Sequence, residues 1–224
     1  MPIDYTKGRG SQGGGSQGGG VSLSKVTLTK SAPTVSLSKQ QGGTAGGELR
    51  VNLNWNARPA SGGVFKRQAQ AIDLDLACLY ELRNGQKGVV QALGNSFRSR
   101  NDGAPIIALD ADDRTGESAE GENLRIDLSR LGEIRRILVF TYIYEGTPNW
   151  AGANAIVTLY PQGGAPIEIR LDEADTSART CAIALLESTG ADLSVRREVR
   201  YVKGTQSALD AAYGWGMTWT KGRK

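Results

Sequence analysis

Six carboxylates crowd into thirteen residues, D-A-D-D-R-T-G-E-S-A-E-G-E, at positions 110 to 122. They are Asp110, Asp112, Asp113, Glu117, Glu120 and Glu122, set around two glycines with only Arg114 to offset them. Such a segment repels itself unless something positive sits inside it. A hard cation would serve, because Ca²⁺ takes about six to eight oxygen ligands in irregular geometry. The same composition also describes a solvated acidic turn, and the loop by itself leaves both open.

A second pair of carboxylates stands on a strand. In Ile72-Asp73-Leu74-Asp75-Leu76-Ala77-Cys78 the residues Ile72, Leu74, Leu76 and Cys78 face one way, and Asp73 and Asp75 the other. Two strand positions are roughly 6.8 Å apart, so the two acids can flank one cation or bridge two. Arginines could neutralise them instead, since like charges on one strand face need a partner. Cys78 falls on the apolar side and reads as a small core residue. The loop is not an EF-hand: with Asp110 first and Asp112 third, Arg114 takes the fifth position and Gly121 the twelfth.

Elements that could hold these groups are mostly strands. Alternation marks Leu49–Trp55, Leu124–Leu128, Ile167–Leu171 and Val195–Tyr201. Ile137–Tyr144 is apolar on both faces and reads as a central strand. Asn84-Gly85 and Gly163-Gly164 mark turns. Helix signals are few: one turn at Ser129–Glu133, an ambiguous stretch at Asp175–Glu187 and a short C-terminal helix at Ser207–Tyr213. The pattern predicts an all-β, two-sheet β-sandwich with few short helices, spanning 21–224. Residues 8–20, GRGSQGGGSQGGG, with the repeated G-S-Q-G-G, offer no apolar side chain to offset ordering, and 1–20 read as a disordered Gly/Ser/Gln-rich tail.

The chain contains no histidine, which removes the usual general base and the common zinc and non-haem iron sites. Its two cysteines support neither a disulfide framework nor a Cys-only zinc site. No apolar run is long enough to span a membrane, and the polar start MPIDYTKGRG lacks a signal-peptide centre. The expected setting is therefore cytoplasmic. Net charge is +4, divided between a local −5 in the acidic loop and +9 elsewhere. That basic remainder suits anionic surfaces, lipid headgroups or acidic proteins, or else merely solubilises the chain.

In order along the chain stand V-S-L-S-K at Val21–Lys25, L-N-W at Leu53–Trp55, I-D-L-D-L at Ile72–Leu76, D-D-R-T-G-E at Asp112–Glu117 and N-W-A-G-A-N at Asn149–Asn154. This series resembles the TerD family of tellurium (tellurite) resistance and bacterial stress proteins. The ending Y-G-W-G-M-T-W at Tyr213–Trp219 is similar to its TerA-like branch. The resemblance implies a β-sandwich that holds one or two Ca²⁺ ions. Carried over by position, Asp73, Asp75, Asp112 and Glu117 are the main ligands, and Asp113 stands where the family has Asn. Arg114 would brace the loop, while Thr115 and Gly116 shape its turn and can offer a backbone carbonyl. After Glu117 the chain reads S-A-E-G-E-N instead of the family's G-E-G-D-D-E pattern. That departure puts the contributions of Glu120, Glu122 and Asn123, and a second ion, in question. Glu122 stays in the main set; Asp110, Glu120, Asn123, Asn149 and Asn154 are secondary candidates.

The resemblance further implies a non-enzymatic, Ca²⁺-binding scaffold for tellurite resistance and general stress. Its partners would be other Ter-family proteins and membrane-linked complex members, and it could lie peripherally at the inner face of the membrane. A metal-assisted hydrolase using the same acids is the alternative, weakened because Ca²⁺ is a poor Lewis acid and only carboxylates could act as base. Nucleic-acid binding through Arg135-Arg136, Arg196-Arg197 and the tryptophans is disfavoured. Trp55, Trp215 and Trp219 are expected to pack, and Trp150 to be the exposed one.

Overall fold

The structure is a computed structural model that describes residues 24–43, 45–56, 72–110 and 121–220. Within these, twelve strands run in chain order. They are β1 (Val26–Thr27), β2 (Thr34–Ser36), β3 (Glu48–Asn54), β4 (Asp73–Leu82), β5 (Lys87–Val90) and β6 (Ile107–Leu109). Then come β7 (Glu122–Asp127), β8 (Ile134–Glu145), β9 (Ala155–Pro161), β10 (Ile167–Leu171), β11 (Thr180–Ser188) and β12 (Leu193–Val202). Three short helices join them: α1 (Leu37–Gln41), α2 (Trp150–Ala153) and α3 (Gln206–Tyr213).

Two six-stranded sheets result, one ordered β1-β10-β9-β3-β7-β6 and the other β2-β12-β11-β8-β4-β5. Among the described residues only the short β1–β10 pair is parallel. The alternating strands bury one face each: Leu49, Val51 and Leu53 of β3 and Leu124 and Ile126 of β7 meet Leu74, Leu76 and Cys78 of β4 in one inter-sheet core. The apolar run of Ile137–Tyr144 lies, as its composition predicts, at the middle of the second sheet, between β11 and β4. Both cysteines are buried, and burial pushes both thiols up, which suits core residues rather than nucleophiles.

The second sheet is buried on its outer face as well. A smaller cluster of Ala77, Leu79, Leu138, Phe140, Tyr142 and Leu185 is roofed by Leu209 of α3 and by Trp215, with Met217 and Trp219 packed against it. The chain after α3 is held there by buried Asp210, whose carboxylate accepts from the Gly216 and Met217 amides and from the Trp219 indole. This covering is why Ala77 and Leu79 are apolar where simple alternation would allow polar residues.

Asp175–Glu187 resolves into two parts. Asp175 caps a turn by accepting from the Ser177 and Ala178 amides, and β11 starts at Thr180. Trp150 is a correction: it is wholly buried, donates its indole N–H to the Ala178 carbonyl at 2.9 Å and packs at a tilt against the Tyr201 ring. The expected tail at residues 1–20 lies outside the described residues.

Candidate metal centre

Strand ends bring the two acidic features to one end of the sandwich. In the first sheet β3 finishes at Asn54, β6 finishes at Leu109 and β7 begins at Glu122, with Leu53 opposite Glu122 and Leu109 opposite Leu124. In the second sheet β4 begins at Asp73. The sheets are tied together here. The Trp55 indole at the end of β3 donates to the Ile72 carbonyl before β4, at 3.0 Å. Glu122 then reaches across from β7 and accepts the Leu76 amide at 2.5 Å.

That last contact follows from the sheet edge. β5 covers β4 only as far as Cys78, which stands opposite Val90. Beyond it β4 is an open edge, and the Leu76 N–H would be a buried donor without a strand partner. A carboxylate from the facing sheet takes the place of the missing carbonyl, as buried backbone donors require. The strand start is tight: a side chain at Gly121, where φ is 60°, would come within 2.2 Å of the Leu53 carbonyl oxygen. Only glycine can occupy this approach to Glu122.

Two carboxylates are thereby sunk in the protein, Asp75 fully and Glu122 to within 1%. Asp73 is half-buried and stands opposite Glu145, so acids face each other across β4 and β8 at the mouth of this end. Facing like charges cost energy unless a positive group offsets them. Consecutive residues of β8 carry hydroxyls on opposite faces of the sheet. Thr141 lies opposite Leu76 and Tyr142 opposite Asp75; both are buried, the Thr141 hydroxyl has no hydrogen-bond partner among the described residues, and the Tyr142 hydroxyl lies beside Asp75 and the Leu93 backbone. Burial, and then the Asp75 charge, push the Tyr142 phenol far up, with Glu122 adding to the effect.

The donor set is all oxygen and strongly anionic, which fits a hard cation rather than a soft transition metal. It is incomplete in what is described. Among the described residues no three acidic or cysteine side chains converge closely enough to hold a metal. Asp112, Asp113, Thr115, Gly116, Glu117 and Glu120, like Arg114, lie outside the described residues. Their segment must nonetheless leave from Asp110 and return at Gly121, and the Asp110 amide closes its base on the Asn123 carbonyl at 2.8 Å. Asp75 and Glu122 thus lie beside its root.

The remaining candidates have structural partners. Asp110 is held by the Arg125 guanidinium, which also grips Glu48. Asn123 points to the other face of its strand from Glu122, and its side-chain oxygen accepts from Arg50 and Asn52. Asn149 caps α2 through the Gly152 amide, and Asn154 ends that helix in the left-handed conformation, with φ 46°. Both basic pairs are committed to acids: Arg135 and Arg136 to Glu81, Arg196 to Glu198 and Arg197 toward Glu173. Sequence inspection passed over Tyr142 and Thr141 because they sit in an apolar run. The available signal was that two hydroxyls interrupt a strand expected to be buried on both faces.

Fold and site together define a class: a two-sheet β-sandwich with buried carboxylates at the end where an acidic loop is rooted. A tellurium resistance protein, TerA, from Alcaligenes sp. is 43% identical over 198 residues, 87% of this chain and 57% of its own length. The chain belongs to the TerD family of tellurium resistance proteins, on its TerA-like branch, and spans little more than half of that relative. Two crystal structures share the fold. A TerD homologue from Streptomyces coelicolor A3(2), SCO6318, is 20% identical with a TM-score of 0.50, over 74% of this chain and 95% of that one. A protein of unknown function, SAV2460, is 16% identical with a TM-score of 0.53, over 71% and 92%. No protein-family model matches the chain. Among the described residues no helix is long and apolar enough to cross a membrane.

Proposed function

We propose that this protein is a non-enzymatic Ca²⁺-binding scaffold in tellurite resistance and general stress response. The observation that carries this is the placement of Asp75 and Glu122, both buried, at the root of the acidic loop. Asp73 would form the outer wall, and Asp112, Asp113, Thr115, Gly116 and Glu117 would close the site from the loop, holding one or two ions. A bound cation would add positive charge to this acidic end and would stiffen the loop over it. The end of the sandwich would then pass from repelling to accepting acidic surfaces. Sister Ter-family proteins, membrane-linked complex members or an anionic membrane face are the partners this suits.

Calorimetric titration of the full chain with Ca²⁺, paired with thermal melting in Ca²⁺ and in EGTA, tests the proposal. Expected are a saturable heat, a higher Tm with Ca²⁺ and loss of both in Asp75→Asn and Asp112→Ala. No heat and no Tm shift would overturn the metal site. Metal-dependent phosphoesterase turnover lost in Asp112→Ala would overturn the non-enzymatic role.

A further inference from the structure

Tyr142 stands directly across from Asp75 in the β4–β8 register. Both side chains lie on the outer face of their sheet, since Leu74 and Leu76 fill the inter-sheet core while Ala77, Leu79 and Phe140 belong to the outer cluster. Cross-strand neighbours on one face have side chains in reach of each other. Tyr142 is 6% exposed, its ring packs beside Phe140 with centroids 6.2 Å apart, and phenylalanine would meet that packing need equally well. The hydroxyl is therefore the part to explain. It is stripped of water, and the polar groups beside it are the Asp75 carboxylate and the Leu93 backbone; a buried hydroxyl costs stability unless it serves such a neighbour. Of these the group whose orientation the hydroxyl can set is the Asp75 carboxylate. Toward a carboxylate, which only accepts, the phenol O–H is the donor.

We propose that Tyr142 is a positioning residue for the calcium site, its phenol O–H donating to Asp75 when the cation is held and fixing the orientation of that carboxylate. Metal-ligating carboxylates are commonly oriented in this way by outer hydrogen-bond partners, and losing one weakens metal affinity by about 10- to 100-fold. The inference rests on the Ca²⁺ site proposed above and adds a residue that the acidic motifs do not contain.

The test compares full-length wild type with Tyr142→Phe by calorimetric titration with Ca²⁺, by melting without Ca²⁺, and by NMR of the tyrosine hydroxyl protons. The expected result is a Kd weakened about 10-fold or more, with an undiminished Tm in the absence of Ca²⁺. Ca²⁺ should also bring out one slowly exchanging hydroxyl proton in wild type that the variant lacks. If wild type binds Ca²⁺ and the variant binds equally well, the role of Tyr142 is overturned while the site stands. If wild type takes up no Ca²⁺, the site falls and this inference with it. Should the variant fail to fold, the wild-type spectrum decides: no Ca²⁺-dependent hydroxyl proton overturns the role.

Discussion

Glu122 of one sheet accepts the amide of Leu76 in the other, at 2.5 Å and out of contact with water. One side chain thus completes the open edge of β4 and fixes the distance between the sheets where the acidic loop is rooted. Its structural and metal-binding roles can be separated. Glu122→Ala should leave the Leu76 donor unsatisfied and lower stability by about 1–3 kcal/mol, with or without Ca²⁺. Glu122→Gln keeps an acceptor oxygen and loses the charge, so urea stability without Ca²⁺ should largely survive while Ca²⁺ affinity falls. Equal Ca²⁺ affinity in Glu122→Gln and wild type would remove Glu122 from the ligand set.

Ca²⁺ should stabilise the protein by mass action. At a free concentration of about one hundred times Kd, a ligand specific to the native state adds roughly 2.7 kcal/mol. Urea titrations at stepped Ca²⁺ concentrations should show the midpoint climbing with the logarithm of concentration. Asp75→Asn should flatten that slope, and a variant slope equal to wild type would exclude Asp75.

The C-terminal covering depends on one carboxylate. Asp210 is 5% exposed and accepts from two backbone amides and the Trp219 indole. Hydrogen bonds to a charged acceptor contribute about 1.5–3 kcal/mol each at most, and they share a single group here. Asp210→Ala should cost about 3 kcal/mol and expose Trp215 and Trp219. A red shift in tryptophan emission before global unfolding would report it; unchanged emission and stability would show that apolar packing alone holds the covering.

Acid should loosen the same face. Burial by itself would raise the Glu81 carboxyl, but Arg136, Lys87 and Arg135 outweigh it and hold the group below the ordinary glutamate value. Arg136 also lies 3.9 Å from the Trp215 ring centroid and donates to the Tyr213 and Gly214 carbonyls. A depressed folded-state pKa stabilises the native state above the unfolded value, and that contribution is lost as pH falls through the folded one. Glu81→Gln should therefore cost about 2 kcal/mol near neutrality and progressively less in acid. Stability curves for the two proteins that stay parallel into acid would refute the assignment.

Trp150 shows where inspection of the sequence stops. Its neighbours Asn149 and Gly152 signal a turn, and turns lie at surfaces. The short helix instead turns its tryptophan inward against Tyr201, with the indole N–H satisfied by the Ala178 carbonyl. Trp150→Ala should cost about 3–5 kcal/mol in urea unfolding, whereas an exposed residue would cost little.

The strands were legible because their side chains alternate with the two-residue period that burial of one face demands, as in Leu49, Val51 and Leu53. Asp75 lies on the face opposite Leu74 and Leu76 for the same reason. What lies over the outer face of β4 was not legible. Nothing local to Ala77 or Leu79 says that Leu209 and Trp215, more than a hundred residues later, will cover them.

By itself, then, the sequence determined the fold class and the acidic inventory, because periodicity and composition are properties of neighbouring residues. Tertiary structure alone decided which acids become buried partners. Glu122 meets the Leu76 amide because β5 stops at Val90 and leaves that edge open to the facing sheet. Asp75 meets Tyr142 because the β4–β8 register places them opposite each other. Both outcomes depend on where strands end and how they align, which long-range pairing sets and no short stretch of chain records.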